Sequence, residues 1–421
     1  MKIHTKIGIN NILIIMLYLL AIFDTLRLVS FENISLLFLF IILAYYIIKM
    51  NFKIYKSSFI VISFAFLILI SSTINILATN ISFGTIARPI RIGTTLIVGY
   101  IYGQSTLEEE RRNLYNMIFC ISIVGAIWGF IQYFTGHAYE SNFLRIRIAS
   151  FFGNPIIYGS IIVGTIWLIN YLSIDYIKRW VYWGILLVAV YSTSSRSSWI
   201  AIAIVFIIYI IMGLFSKHSV CLNYKMAISF GVGVIAILVF VKSKYFNIAV
   251  GYITSRFAGS LNGLMETKGA KHRIAMFIYL LKRFFQSNPF FLLFGHGPTS
   301  GNLAGRTGSV NIISGFSSAD NEIVTFLYEY GLIAFALFII TIISIIRNLK
   351  NNNNEIRMLS YSILAMVITG LFYELLSWKS ICELLMLYFG IFINLTVKNR
   401  MICEEDLSKN IFDVEKKMVE E

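Results

Sequence analysis

Long apolar runs recur from one end of this 421-residue chain to the other, and they constrain its fold more than any other feature. Most reach about 17 residues or more, enough for a helix to cross a hydrocarbon layer of about 30 Å. Hydrophobic residues make up 58% of the chain and charged residues 13%, which excludes an ordinary soluble domain. The sequence therefore predicts an all-α, polytopic membrane protein.

About twelve runs are predicted to be transmembrane helices. They cover residues 11–29, 34–48, 58–78, 85–103, 114–135, 155–172, 181–194, 198–215, 226–242, 322–346, 357–374 and 380–397. Two runs are short, so the count is accurate to about two. No small-residue cleavage site follows the first run, which favours a retained helix over a signal peptide.

Basic residues fall in alternate connections between these runs, as Lys53, Arg112, Lys178 and Arg347 illustrate. The positive-inside rule then places both termini on the cytoplasmic side of the membrane. Residues 1–397 form one membrane domain, and residues 398–421 form a charged cytoplasmic tail. Basic residues in the cytoplasmic connections can contact anionic lipid headgroups, which accounts for the net charge of +14. Nucleic-acid binding is therefore not indicated.

The longest interruption, residues 243–321, lies outside in this topology and carries a predicted amphipathic helix at residues 271–285. The apolar stripe of that helix consists of Ile274, Phe277, Ile278, Leu281 and Phe285. Asn288 and Pro289 stop it, and a tight turn follows at Gly295. No cysteine lies in the loop, and the histidines show no metal-ligand spacing. Neither a disulfide framework nor a metal or cofactor is expected.

Seven arginines map to the outer side, where the positive-inside rule makes basic residues scarce. They are Arg88, Arg91, Arg145, Arg147, Arg196, Arg273 and Arg306. Arginines on the side where basic residues are scarce need an explanation. Binding of an anionic, lipid-borne substrate at the outer leaflet provides one. The sequence therefore predicts an anion site on this side.

Arg196 lies in a short outer connection among serines that include Ser195 and Ser197. Hydroxyls beside a guanidinium suit phosphate oxygens, although an interfacial arginine can also simply extend towards lipid headgroups. Arg88 and Arg91 share a helix face and are predicted either to bind the substrate or to pair with an acid. Arg145 and Arg147 precede a Gly-Asn-Pro turn that starts the next helix. They are predicted either to bind the substrate or to have only a structural role.

Asp320 ends the outer loop, directly before Asn321 and an apolar helix. It is predicted to be the N-cap of that helix, a general base, or both. Glu329 and Glu374 are predicted to be counter-ions of buried arginines.

Taken in order, these motifs make the chain resemble the O-antigen ligase and O-antigen polymerase superfamily of bacterial membrane glycosyltransferases. The resemblance covers nearly the whole membrane part. The motifs are Phe152-Gly153-Asn154-Pro155, Ser195-Arg196-Ser197-Ser198-Trp199, Arg273 with Pro289 and Gly295-His296-Gly297, and Asp320-Asn321 ahead of Glu329-Tyr330-Gly331-Leu332-Ile333.

The resemblance implies an undecaprenyl-diphosphate-linked oligosaccharide as substrate, with Arg196 and Arg273 at its diphosphate or glycan and Asn321 also at the binding site. In the ligase branch a histidine usually precedes the asparagine matched by Asn321. This chain has Asp320 there, which favours a polymerase that joins lipid-linked repeat units for O-antigen or capsule. A ligase that transfers glycan to lipid A core is the alternative. Partners implied by the pathway are membrane lipids, a chain-length regulator and a flippase.

A transporter of lipid-linked oligosaccharides is an alternative of a different class. Such transporters usually have pseudo-symmetric halves with matched broken helices and binding sites near the midplane. No internal repeat is visible in this chain, and its charged residues crowd one side. The enzyme is therefore the favoured hypothesis.

Overall fold

The computed structural model describes residues 8–26, 34–49, 58–79, 83–137, 140–142, 145–214, 268–307 and 320–420. Each predicted apolar run within these ranges falls on a helix, and the run at 226–242 lies outside the described residues. The helices before residue 215 are α1 Ile9–Leu26, α2 Ile34–Lys49, α3 Ser58–Thr79, α4 Ala87–Ser105, α5 Glu108–Phe134, α6 Pro155–Thr165, α7 Tyr176–Ser192 and α8 Arg196–Leu214. The later helices are α9 Lys268–Phe285, α10 Pro289–Phe294, α11 Ser300–Thr307, α12 Glu322–Asn348, α13 Asn354–Gly370 and α14 Lys379–Glu420.

Short elements connect some of these helices. The 3-10 segments are Phe83–Ile86, Ser150–Phe152, Ile166–Asn170 and Leu375–Ser377. Two strands, β1 Glu140–Asn142 and β2 Arg145–Arg147, form an antiparallel hairpin in which Glu140 lies opposite Arg147. The fold is helical as predicted, with this hairpin as an addition to the expected all-α class. An opposite-charge pair across two strands favours such a hairpin.

Within the described residues, four helical segments are long and apolar enough to cross a membrane. They are α5 Glu108–Phe134, the part of α8 at Arg196–Gly213, α12 Glu322–Asn348 and the part of α14 at Lys379–Met401. Helix α14 then continues without interruption to Glu420, so the segment predicted as a charged tail is an extension of a membrane helix. Its lysines and glutamates are good helix formers, which explains the continuity.

Helices α4 and α14 pack side by side through the centre of the molecule. A Cβ atom at Gly99 would lie 2.5 Å from the carbonyl oxygen of Leu387, so only glycine permits this approach. Small residues commonly allow such close contact between membrane helices. Helices α1, α2 and α3 complete the packing around these two. The arginines of α4 are thereby held next to acidic residues of α12 and α14.

The predicted orientation can be tested with single cysteines in a background without native cysteines. His137 follows α5 and Asn352 lies between α12 and α13, and both residues are exposed. We expect His137→Cys to react with an impermeant maleimide from outside, and Asn352→Cys to react only after permeabilisation, because basic residues flank Asn352. Ser197 is less suitable because it is buried. The opposite labelling pattern would reverse the topology.

Candidate functional site

Arg273 and Asp320 form an ion pair at the centre of the candidate site. The Nε atom of Arg273 on α9 donates to Oδ2 of Asp320 at 2.7 Å. The Asp320 side chain is 4% exposed and the Arg273 side chain 45% exposed. Asp320 has a φ of 47°, in the left-handed region that aspartate tolerates better than most residues. The structure therefore brings together two residues that the sequence assigned to catalysis.

The ion pair fixes Arg273 without using its whole guanidinium. Its bond to Asp320 is made through Nε, and no other acceptor contacts the group among the residues that the structure describes. An arginine has five N–H donors, so those on the two terminal nitrogens remain for a ligand. Their planar arrangement matches two oxygens of a phosphate. Asp320 thus orients a guanidinium suited to bind an anion.

An open cleft of about 820 Å³ adjoins this pair. Its other lining residues are Ile274, Phe277 and Ile278 of α9, together with Asn321, Leu371 and Phe372. Ile274 and Ile278 are 42% and 58% exposed, which agrees with the predicted outward stripe of α9. Met276, Leu280 and Phe284 form a second apolar face, which packs against α12. The cleft therefore combines an apolar wall with a charged end.

Asn321, rather than Asp320, caps α12. The Oδ1 atom of Asn321 accepts from the backbone N–H of Val324 at 3.1 Å, and its Nδ2 atom donates to the carbonyl of Leu371 at 2.9 Å. The expectation that Asp320 caps this helix was wrong by one residue, because either type of side chain can serve as a cap. Asn321 lines the cleft, but its amide is already bonded on both sides. Its predicted role in substrate binding stays a prediction.

Arg88 pairs with acidic residues of α12. Its Nη1 atom lies 2.9 Å from Oε2 of Glu329, and its Nη2 atom lies 3.3 Å from Oε1 of Glu322. Glu322 also accepts from the backbone N–H of Leu376, and Glu374 accepts from the hydroxyl of Thr325. The alternative that Arg88 pairs with an acid is therefore the arrangement observed. Glu329 is its counter-ion, as the sequence suggested.

Arg91 pairs separately with α14. Its Nε atom lies 3.1 Å from Oε1 of Glu383, and both side chains are buried. Although Arg88 and Arg91 share a helix face, they contact different helices. Sequence reasoning missed Glu383, yet a lone acid within the apolar run ICELLML was a usable signal of a buried partner. The substrate roles assigned to both arginines are not tested by this geometry.

The serines around Arg196 bond mainly to one another. The Ser195 hydroxyl lies 3.0 Å from that of Ser197 and accepts from the Ser198 hydroxyl at 3.1 Å, and these side chains are buried. The backbone N–H of Ser198 also points to the Ser195 hydroxyl, which is the arrangement of a helix N-cap. Instead of an open hydroxyl pocket, the serines build the start of α8. Arg196, the first residue of α8, is exposed.

The β-hairpin brings Arg147 next to this turn. Its Nε atom points to the carbonyl of Thr193 at 3.5 Å, and the backbone N–H of Ile148 donates to the carbonyl of Ser192. The backbone of Arg145 lies in β2, opposite Asn142. The strand that carries Arg145 and Arg147 thus lies on the same side of the molecule as the turn before Arg196. The backbone of Arg306 lies in α11.

The predicted Gly-Asn-Pro turn is confirmed as the start of α6. Asn154 accepts from the backbone N–H of Ile156 at 2.8 Å, with Pro155 in the first turn. The Nδ2 atom of Asn154 also points to the hydroxyl of Tyr373 at 3.5 Å. Tyr373 directly follows Phe372, which lines the cleft beside Arg273. This segment therefore connects the α6 side of the molecule with the ion-pair side.

The part of the chain that carries Arg196 and the Arg273–Asp320 pair matches a known family. Residues 181–339 match the sequence model of the O-antigen ligase family. This match confirms the resemblance to the O-antigen ligase and polymerase superfamily. The matched residues include Arg196, Arg273 and Asp320. No curated protein matches the chain.

Two sequence motifs of the region that matches this family contact each other. Helix α12 is broken at Gly331, which has φ 78° and ψ 179°, and Gly295 packs against the break. The backbone N–H groups of His296 and Gly297 donate to the carbonyls of Tyr328 and Glu329 that the break leaves free, both at 2.9 Å. Backbone at membrane depth has to find partners within the protein. The motifs therefore provide one structural joint.

His296 contributes to this joint rather than to the cleft. Its ring stacks on Tyr328 with centroids 4.2 Å apart, and its Nε2 atom lies 2.8 Å from the hydroxyl of Ser287. The stacking and the contact with Ser287 hold the ring against α12, away from the residues that line the cleft.

Proposed function

We propose that this chain polymerises oligosaccharide repeat units carried on undecaprenyl diphosphate, at the outer face of the cytoplasmic membrane. The observation that carries the proposal is the Arg273–Asp320 pair at the charged end of an apolar cleft. The terminal guanidinium nitrogens of Arg273 bind the diphosphate. The exposed apolar residues of α9 face the polyprenyl chain.

In the proposed reaction, the hydroxyl oxygen of an incoming lipid-linked unit attacks the anomeric carbon of the growing chain. A new glycosidic bond forms while the bond between that carbon and the phosphate oxygen breaks. Undecaprenyl diphosphate leaves as an anion, and Asp320 takes the proton of the attacking hydroxyl. Arg273 stabilises the negative charge that develops on the leaving group. The step needs no other reactant, and we propose that it proceeds without a metal.

The position of Arg273 makes it a suitable electrostatic catalyst. Asp320 holds its Nε atom, so the guanidinium needs little reorganisation when charge develops on the leaving group. The cleft has apolar residues on α9 and at Leu371 and Phe372, and low polarity strengthens an interaction between charges. Arg196 and Arg147 are proposed to bind more distant parts of the glycan or its phosphates.

A ligase is the second candidate, because the matching family model is that of an O-antigen ligase. In that reaction the same diphosphate leaves, but the acceptor hydroxyl belongs to lipid A core. Asp320 stands where the resemblance implies a histidine in ligases, and this residue favours the polymerase. The two reactions therefore differ in their acceptor and share the same leaving group.

Reconstitution of the purified protein in liposomes tests this choice. We expect lipid-linked repeat units, extracted from cells that lack the protein, to yield a ladder of longer chains without any added acceptor. A ligase would leave those units unchanged until lipid A core is supplied. Arg273→Ala protein provides the inactive control. Absence of products under both conditions would contradict the glycosyltransferase proposal.

A further inference from the structure

A groove runs between the C-terminal part of α12 and the middle of α14, away from the Arg273–Asp320 pair. Its volume, including the space open to solvent, is about 1120 Å³. Its polar lining residues are Thr341, Ser344, Asn348 and Thr396, with Arg347 and Arg400 at the end. In the predicted topology this end faces the cytoplasm. The site is separate from the proposed transfer reaction and does not depend on it.

Arg347 and Arg400 give the end of this groove a positive charge. Both residues are exposed. Neither has an ion-pair or hydrogen-bond partner among the side chains that the structure describes. Other basic residues of the described part, such as Arg111 and Arg88, are paired with acids. Both guanidinium groups line the same groove, and guanidinium groups are well suited to bind a phosphate.

The remainder of the groove is apolar and continues into the membrane part. Ile340 and Ile343 line it and are 54% and 44% exposed. Thr341 and Ile393 also border a second cavity, which reaches Met386 but is too small for an acyl chain. The residues of α14 that line the groove run from Phe392 to Arg400, about 12 Å at 1.5 Å per residue. This is most of the thickness of one leaflet in a hydrocarbon layer of about 30 Å, so the first part of an acyl chain fits alongside.

We propose that this groove binds an anionic phospholipid of the adjacent leaflet. The phosphate contacts Arg347 and Arg400, and one acyl chain follows the apolar residues of the groove towards Ile340. Basic pockets between membrane helices on the cytoplasmic side bind anionic lipids in this way. A soluble anion would use the arginines but not the apolar extension, whereas a neutral lipid would use the extension but not the arginines.

Native mass spectrometry of the detergent-purified full chain tests the headgroup contact. We expect the wild-type protein to retain phosphatidylglycerol about tenfold better than phosphatidylcholine, a difference of about 1.4 kcal/mol. The Arg347→Ala/Arg400→Ala variant should retain both lipids equally. The Lys178→Ala/Arg179→Ala variant removes the same charge outside the groove and should keep the preference. No preference in the wild type, or equal loss in both variants, would overturn the proposal.

A second variant tests the acyl-chain contact. Thr341→Trp fills the point that the two cavities share and leaves both arginines in place. We expect it to remain monodisperse and to lose retention of phosphatidylglycerol about tenfold. Glycerol 3-phosphate, which has no acyl chain, should bind weakly and equally to both proteins. Binding of this probe as tight as that of phosphatidylglycerol would show a site for a soluble anion instead.

Discussion

The Arg273→Lys variant is expected to lose chain extension about 100-fold, or about 2.7 kcal/mol of transition-state stabilisation, while its abundance in the membrane stays normal. Lysine keeps the charge but lacks the planar fork that binds two phosphate oxygens while a third nitrogen holds Asp320. The measurement is the rate at which lipid-linked repeat units are converted to longer chains by reconstituted protein.

Arg283→Lys provides a matched control for this substitution. Arg283 lies on the same helix, where its Nη1 atom donates to the hydroxyl of Tyr279, outside the residues that line the cleft. We expect its rate to stay within about twofold of wild type, since an exposed hydrogen bond contributes little. A normal rate for Arg273→Lys would argue against phosphate binding by the guanidinium.

The Asp320→Asn variant is expected to reduce transfer about 10²- to 10⁴-fold, because an amide cannot accept the proton of the acceptor hydroxyl. Its carbonyl oxygen can still accept the N–H of Arg273, so the orientation of that arginine is maintained. The cap of α12 is also unaffected, since Asn321 provides it. Single lipid-linked units should accumulate outside while longer chains disappear.

Two further substitutions distinguish a base from a positioning residue at Asp320. Asp320→Ala removes both functions and should be inactive in either case. Asp320→His restores a side chain that accepts protons, and partial activity there with none in Asp320→Asn would support proton transfer. Full activity of Asp320→Asn combined with an inactive Asp320→Ala would leave Asp320 as a residue that only positions Arg273.

Apolar length and local turn chemistry allowed much of the fold to be predicted. The helices, the Asn154–Pro155 start of α6, the outward stripe of α9 and the break after it all follow from neighbouring residues. These features depend on hydrophobic periodicity and on capping, which act over a few residues. The order of Asp320 and Asn321 is the local exception, because both are good caps.

Glu329 was predicted to be the counter-ion of a buried arginine, but which arginine pairs with which acid could not be predicted in the same way. Arg88 and Glu329 are 241 residues apart, and Arg91 and Glu383 are 292 apart, so only the packing of α4 against α12 and α14 brings them together. The role of the serines near Arg196 could not be predicted for a different reason. The sequence does not distinguish a cluster of hydroxyls that binds a ligand from one that, as here, caps a helix and bonds to itself.

The contact between Gly295 and Gly331 limits which substitutions this region can accept. A Cβ atom at Gly295 would lie 2.3 Å from the carbonyl oxygen of Glu329, and one at Gly331 would lie 2.4 Å from the nitrogen of Gly295. In both cases the obstacle is main chain, which no side-chain replacement elsewhere can remove. A larger residue at either position therefore has to push the two segments apart, even though 35 intervening positions separate the glycines in the sequence.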